Sequence, residues 1–367
     1  MIKFLDLNGQ YQKIKKGIDG AIADVIHHSA FIGGHYTALF EKEFATYQQA
    51  EHCIGVANGT DAIEIVLEAL DIPKGTEVIV PANSFIATSE TVTRQGYRVV
   101  FADVDPISYT LDPVDVRRRI TQKTSAIIAV HLYGHPCRMD DLLKICVEFD
   151  LKLIEDCAQA HGAEYYGKRV GTFGAAGTFS FYPGKNLGAY GDAGAIVTNH
   201  QDIANKCRMI ANHGRIDKYD HQFEGRNSRL DGLQAAILSV KLPHLDDWIK
   251  QRNLIASTYN QRLSGIKQLS LPSTNLHCYH AFHLYVIRTE NRDELAQFLN
   301  KRDIQTGVHY PIALPKLAAY DYLGQGQEPM FANLTDSTLL SLPIGDHLSI
   351  DDAIEVSTAI EIYFTTR

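Results

Sequence analysis

At 367 residues the chain exceeds a single typical hydrophobic core, which predicts two lobes or one large domain with an appendage. An apolar content of 45% with 21% charged residues is that of an ordinary globular protein, and a formal charge of -8 without a basic stripe argues against a nucleic-acid partner. The one basic run, Arg117 to Arg119, reads as a solvated helix face. The six cysteines, Cys53, Cys137, Cys146, Cys157, Cys207 and Cys278, form no C-x-x-C and no zinc-like pairing with histidine. No metal is therefore expected, and scattered thiols fit a reducing, cytoplasmic compartment. No apolar run is long enough for a signal peptide or a membrane span.

In chain order, Ile14, Ile18, Ala21, Ile22, Val25 and Ile26 recur at helical spacing and predict an amphipathic helix over residues 11–28. FIGG follows as a turn, and Tyr36, Phe40, Phe44 and Tyr47 continue a second helix as core-packing aromatics. A short strand over Cys53 to Val56 leads through Asn58-Gly59-Thr60 into a helix over Asp61 to Leu70. Gly59 permits a tight strand-to-helix turn, and backbone N–H groups with the Thr60 hydroxyl at a helix start make a phosphate site; the same residues can also be a plain helix cap.

Strand signals at residues 77–81, 98–102, 125–133 and 151–155 alternate with helical ones at 84–95 and 139–149. That rhythm predicts a mostly parallel sheet with helices on both faces, whose ligands sit at the carboxyl ends of the strands. Asn58, Phe85, Asp105, His131, Asp156 and Lys185 all fall at or beyond those ends and are expected to share one cleft. Gly177 to Tyr182 and Gly194 to Thr198 predict a hairpin-like pair around a glycine-rich turn that carries Lys185. From about Leu242 the pattern changes to a long helix over Leu245 to Leu263, with the only tryptophan, Trp248. A strand (283–288), a helix (292–302), the loop His309-Tyr310-Pro311 and a final helix (350–364) follow. This predicts a large α/β domain over residues 1–240 and a small C-terminal α+β domain over 241–367.

The stretch from Leu151 to Gly194 carries the chemistry. Asp156 ends one apolar strand and Lys185 follows another, the arrangement that pyridoxal 5'-phosphate needs. A lysine forms a Schiff base with the aldehyde, and a carboxylate keeps the pyridine nitrogen protonated so that the ring drains electrons from a carbanion. By itself the pair admits any aldehyde-binding lysine. A nicotinamide-dependent oxidoreductase lacks support, because no G-x-G-x-x-G follows the first strand.

The segments EDCAQAHGA, GTFSFYPGKNLGAYGDAGAIVTN and NSRLDGLQAA resemble the DegT/DnrJ/EryC1/StrS family of sugar aminotransferases, and so do FIGGHYTALFEKEFATY, VANGTDAIEIVLEAL, EVIVPANSFIAT, VFADVD and VHYPIALPKLAAYDYLG. The resemblance covers essentially the whole chain. It implies a fold-type I enzyme with a seven-stranded, mostly parallel sheet. It implies catalytic Lys185 and Asp156, with Gly59, Thr60, Phe85, Gln159, Ser180 and, from a partner subunit, Asn227 around the cofactor. Tyr182, His309 and Tyr310 become candidates for touching the sugar. Arg215 serves either the diphosphate or an ion pair, and His161 is either a ligand-supporting or a simply packed histidine.

Lysine at 185, where dehydratase relatives carry histidine, implies transamination. L-Glutamate would convert the cofactor to pyridoxamine phosphate, and a nucleotide-linked keto-sugar would then take the amine. The G-K-N-L-G-A pattern resembles the subgroup acting at C3 of dTDP-linked 3-keto-6-deoxyhexoses, whose products enter glycans such as O-antigen or S-layer chains. A C4 aminotransferase, a UDP-sugar enzyme of the same family and a catalytically silent, PLP-binding regulator are the alternatives. A homodimer with shared active sites is the implied assembly.

Overall fold

The structure, a computed structural model, describes residues 1–366. Its first half comprises α1 (Leu7–His27), α2 (Gly34–Gln48), β1 (His52–Val56), α3 (Gly59–Ala69), β2 (Glu77–Pro81), α4 (Ala87–Arg94), β3 (Arg98–Ala102), α5 (Pro113–Arg119), β4 (Thr124–Val130), α6 (Met139–Phe149) and β5 (Lys152–Asp156). Two short strands, β6 (Glu164–Tyr165) and β7 (Lys168–Arg169), precede β8 (Ala176–Ser180), β9 (Gly194–Thr198) and α7 (Gln201–Ala211). A hairpin of β10 (Arg215–Asp217) and β11 (Asp220–His221) leads to α8 (Gly232–Lys241) and α9 (Leu245–Leu263). The chain ends through β12 (Cys278–Tyr279), β13 (Tyr285–Arg288), α10 (Arg292–Asn300), α11 (Phe331–Thr335), β14 (Leu339–Leu342) and α12 (Ile350–Thr365).

Seven strands form the central sheet in the order β1-β9-β8-β5-β4-β2-β3, and β9 alone runs against the others. Successive residues of a strand face opposite sides, so a strand covered on both faces is apolar throughout. Val78, Val80, Ile128 and Ile154 pack into one core under α3, α4 and α7, while Ile79, Ile127, Ala129 and Leu153 pack into a second under α2, α6 and α8. A third core gathers Ile2 with Tyr259, Tyr285, Leu295, Leu340 and Tyr363. Helix α9 serves two of them: Leu245 and Ile249 lie in the second core, Ile255 and Leu263 in the third. No helix among the described residues is long and apolar enough to cross a membrane.

Two expectations need correction. The first helix starts at Leu7 because the Asp6 carboxylate accepts the Gly9 N–H at 3.1 Å and caps it. Strand β4 stops at Val130 instead of reaching Tyr133, whose φ of 58° places it in a left-handed turn. The run Arg117 to Arg119 on α5 is a solvated face at Arg117 and Arg118, as expected, and each arginine also meets a carboxylate. Arg117 binds Glu148, Arg118 binds Asp115, and Arg119, 15% exposed, bridges Asp115 and Glu328.

One polar node is buried inside the sheet. Glu155 accepts N–H groups from Gly171, Phe173 and Gly174 at 2.7, 2.7 and 2.8 Å, and binds His131 Nε2 at 3.0 Å. Burial opposes its charge, but His131 and the Gly174 and Gly171 amides overcome that and hold the carboxyl below its usual range. His131 Nδ1 accepts the Cys137 N–H, so hydrogen bonds engage both ring nitrogens and both carboxylate oxygens. Leaving buried hydrogen-bond donors without their acceptor costs about 1–3 kcal/mol. Glu155→Gln should lower unfolding free energy by about that much; a denaturant titration showing less than about 1 kcal/mol would refute the structural role.

Candidate active site

A cavity of about 490 Å³ opens at the carboxyl ends of the parallel strands, lined among others by Asn58, Phe85, Asp156, Ser180 and Lys185. Asn58 Oδ1 accepts the Asp61 N–H at 2.8 Å and caps α3, while the Gly59 and Thr60 amides at its N-terminus have no helical partners. A Cβ at Gly59 would lie 2.7 Å from the Ser180 Cβ, so glycine is what lets the Ser180 hydroxyl close on the helix start. Backbone amides, a helix dipole and the Thr60 and Ser180 hydroxyls are donors of the kind that bind phosphate.

Asp156, buried at the tip of β5, lines the same cavity. Its Oδ2 accepts the Thr88 hydroxyl at 2.9 Å and its Oδ1 the Ala158 N–H at 3.1 Å. Burial still raises its pKa, because the Ala158 amide, Thr88 and the charge of Lys185 offset desolvation only in part. An uncompensated carboxylate here calls for a cationic N–H donor. Lys185 is its counterpart: burial pushes the ammonium down to about 8, against the attraction of Asp156. The two form no ion pair, although they feel one another's charge.

The period of two explains how β8 delivers the turn. Phe179 and Phe181 point into the core, edge-on to Phe44 at 5.1 Å each, while Ser180 and Tyr182 face the cavity. The turn is then anchored along its length. Lys241 Nζ donates to the Gly188 carbonyl (2.7 Å), Asn186 Nδ2 to the Ala281 carbonyl (3.0 Å) and the Tyr190 N–H to Gln234 Oε1 (2.8 Å). A Cβ at Gly188 would lie 2.3 Å from the Pro183 carbonyl oxygen, so that close approach admits glycine alone.

The loop His309-Tyr310, remote in sequence, does reach the site. Tyr133 O–H donates to the His309 carbonyl at 2.5 Å, and Gln159 Nε2 donates to the Tyr310 hydroxyl at 3.0 Å while its Oε1 accepts the Tyr133 N–H. Phe85 is 56% exposed and its ring lies 5.9 Å from that of Tyr310, so it is a cavity wall and not a core residue. Tyr182, 59% exposed, lines the same cavity, and His309 lines an adjoining one.

Other expected members fall outside. Asp105 is used by its own loop, accepting the Ile107 and Ser108 amides at 2.9 Å each, and His131 is turned inward to Glu155. The single shared cleft therefore excludes both. His161 is packed between Phe179 and Phe181, and burial pushes it down to about 3, a neutral core histidine. Arg215 lies on the β10–β11 hairpin, without an ion pair among the described residues. Asn227 is exposed and does not line its own chain's cavity. Thr88, Lys241 and Gln234 went unnoticed in the sequence; each acts through a contact distant along the chain, and only the polar position of Thr88 just after Phe85 hinted at it.

Phosphate-type donors, a buried carboxylate and a reactive lysine in one cavity fit a phosphorylated pyridine aldehyde. The profile of the DegT/DnrJ/EryC1/StrS aminotransferase family matches residues 12–361. The chain belongs to this family. It is an aminotransferase, and its cofactor is pyridoxal phosphate.

The dTDP-3-amino-3,6-dideoxy-alpha-D-galactopyranose transaminase of Aneurinibacillus thermoaerophilus is 42% identical, over 99% of both chains. The dTDP-3-amino-3,4,6-trideoxy-alpha-D-glucose transaminase of Streptomyces venezuelae is 41% identical, over 98% of this chain and 95% of its own. The crystal structure of S. venezuelae DesV in complex with a ketimine intermediate superposes with a TM-score of 0.96 at 40% identity, covering 99% of this chain and 98% of that one. Relatives of similar identity also bear other names. A pleiotropic regulatory protein of Geobacillus stearothermophilus is 45% identical over 94% of this chain and 93% of its own. A UDP-2-acetamido-2-deoxy-3-oxo-D-glucuronate aminotransferase of Pseudomonas aeruginosa is 40% identical over 87% and 89%.

With Lys185 titrating near 8, the apoprotein should capture pyridoxal phosphate at a rate that rises with pH and levels off above about 8, since the neutral amine is the reactive form. Asp156 favours the ammonium, so Asp156→Asn should move that midpoint to lower pH. Stopped-flow absorbance across a pH series reads both. A rate still climbing toward the ordinary lysine value of 10.5 would show a solvated amine.

Proposed function

We propose that this family member transfers the amino group of L-glutamate to C3 of a dTDP-linked 3-keto-6-deoxyhexose, giving a 3-amino-3,6-dideoxyhexose for a surface glycan such as O-antigen. The observation that carries the reading is a depressed Lys185 amine facing Asp156 in a cavity with phosphate-type donors. The sugar and its carrier follow the names of the two dTDP-3-amino-sugar relatives, which align over nearly the whole chain.

In this reading Gly59, Thr60 and Ser180 hold the cofactor phosphate, Asp156 holds the pyridine N–H, Phe85 covers the ring and Gln159 stands beside it. When bound, the cofactor would supply an aldehyde carbon for an amine to join and a ring that withdraws electrons from the carbon losing a proton. Lys185, once released, takes that proton on Nζ and returns it to the neighbouring carbon; an amine titrating near 8 is suited to both at neutral pH. Asp156 stabilises positive charge on the ring nitrogen through each transfer. Tyr182, Tyr310 and His309 wall the sugar side. The large and small domains divide at residues 240 and 241, with the cavity closed by a loop of the second.

The UDP-sugar relative supports a second carrier, with amination again at the 3-oxo carbon that its name specifies. The regulatory name of another relative supports a silent binder; Lys185, Asp156, Gln159 and Ser180 in place speak for catalysis. Visible absorption separates these. A yellow protein that L-glutamate bleaches supports transamination, and a yellow protein indifferent to amino donors overturns it. With the bleached protein, dTDP- and UDP-linked 3-keto sugars should restore the colour unequally, the dTDP compound faster.

The exposed position of Asn227 suits a role in the site of a second copy of the chain. Inactive Lys185→Ala and Asn227→Ala chains, mixed and exchanged, should then recover roughly a quarter of wild-type activity, since a random mixture is half heterodimer with one intact site each. No recovery would confine Asn227 to its own chain.

A further inference from the structure

Lys185 Nζ has no hydrogen-bond partner among the described residues, and burial already disfavours its charge. Released from the cofactor with a proton, it is an ammonium whose N–H donors all need acceptors. Desolvated donors left unpaired are costly. A second cavity, of about 240 Å³, adjoins the first and shares Lys185 with it. The wall of that cavity includes Gln159, Arg252, His283 and His309. Arg252 can only donate. Gln159 already turns its oxygen to the Tyr133 N–H and its nitrogen to the Tyr310 hydroxyl.

The role of His283 is fixed from behind, through the residue next to the lysine. The Ala281 carbonyl can only accept, so the Asn186 atom that meets it at 3.0 Å is Nδ2. Asn186 then turns Oδ1 to His283 Nδ1 at 3.2 Å, and an amide oxygen likewise only accepts. His283 Nδ1 therefore carries the ring proton. Burial, with the positive charges of Lys185 and Arg252 and the neighbouring His309 and His161, holds the ring well below its usual pKa. At neutral pH it is uncharged, and in a neutral ring protonated at Nδ1 the other nitrogen is a bare lone pair. That Nε2 has no partner among the described residues, and its ring lines the cavity that Lys185 also lines.

We propose that His283 is a positioning residue for Lys185: its Nε2 accepts an N–H of the released ammonium and steadies the lysine between its two proton transfers. The imidazole keeps its own proton throughout, and none is exchanged with it. Asn186 sets the tautomer. One amide thus ties the lysine turn to the C-terminal part of the chain and leaves an acceptor free for the amine on that turn.

The inference rests on the L-glutamate reading of the same site, and measurements on the holoenzyme separate the two. Nitrogen-15 NMR of histidine-labelled protein, with the His283 signals identified by their loss in His283→Asn, should show a ring protonated at Nδ1 alone. The Nε2 signal should move when L-glutamate frees the lysine. A ring protonated at Nε2 overturns the assignment, and so does a response confined to His309. Single-turnover kinetics reads the consequence. In His283→Asn the amide nitrogen stands in for Nδ1–H toward Asn186, and nothing replaces Nε2. The rate of bleaching at saturating L-glutamate should fall roughly 10- to 100-fold, the worth of a hydrogen bond to a charged group, with the half-saturating concentration unchanged. His283→Gln, which returns an acceptor near the place of Nε2, should recover most of that rate. An unchanged rate in His283→Asn overturns the proposal, and so does an equal loss in both variants, which a merely structural ring would give. Should one variant fail to fold, the other identifies the signals and the wild-type NMR response decides. A wild-type protein that L-glutamate does not bleach overturns the parent reading, and the tautomer measured at rest tells the two failures apart.

Discussion

Lys185 and Asp156 carry opposite charges in one buried cavity and yet do not form an ion pair. Two such groups left free would close on each other, because attraction grows as the dielectric falls. They are held apart from behind. Thr88 and the Ala158 amide fix the carboxylate, while Lys241, Asn186 and Gln234 tie down the turn that bears the lysine. Burial raises the carboxyl and lowers the amine, and the charge of each offsets the other's shift only in part.

Neighbouring carboxylates on β5 show how one strand can serve both stability and chemistry. Alternation turns Glu155 into the sheet, where three amides and His131 surround it, and turns Asp156 toward the cavity, where two donors leave its charge partly unmet. The first is held below its usual range and the second is raised above it. Full satisfaction makes a structural group; partial satisfaction makes one that still seeks a partner.

The C-terminal third completes a site that the sheet only begins. Ala281 accepts from Asn186, the His309 carbonyl accepts from Tyr133, and the Tyr310 hydroxyl accepts from Gln159. Each contact joins a residue near the lysine or the β4 and β5 ends to the second half of the chain. The third core, built on Tyr259, Tyr285 and Tyr363, gives those loops a rigid base.

By itself the sequence determined whatever depends on neighbours along the chain. Strands at residues 77–81 and 98–102 and helices at 139–149 and 245–263 stand where periodicity puts them, because apolar spacing of two or 3.6 is a local property. Asp156 and Lys185 were legible for the same reason, each at the end of an apolar run, and long motifs carried the family. Tertiary structure alone decided which strand-end residues face the cavity, taking Phe85 and rejecting Asp105 and His131, since that depends on a turn at Tyr133 and on hydrogen bonds across the sheet. It also decided the partners of Arg119, Lys241 and Arg252, whose charges meet groups far away in the chain. Spacing records local geometry; long-range electrostatics and burial arise only when the chain has closed on itself.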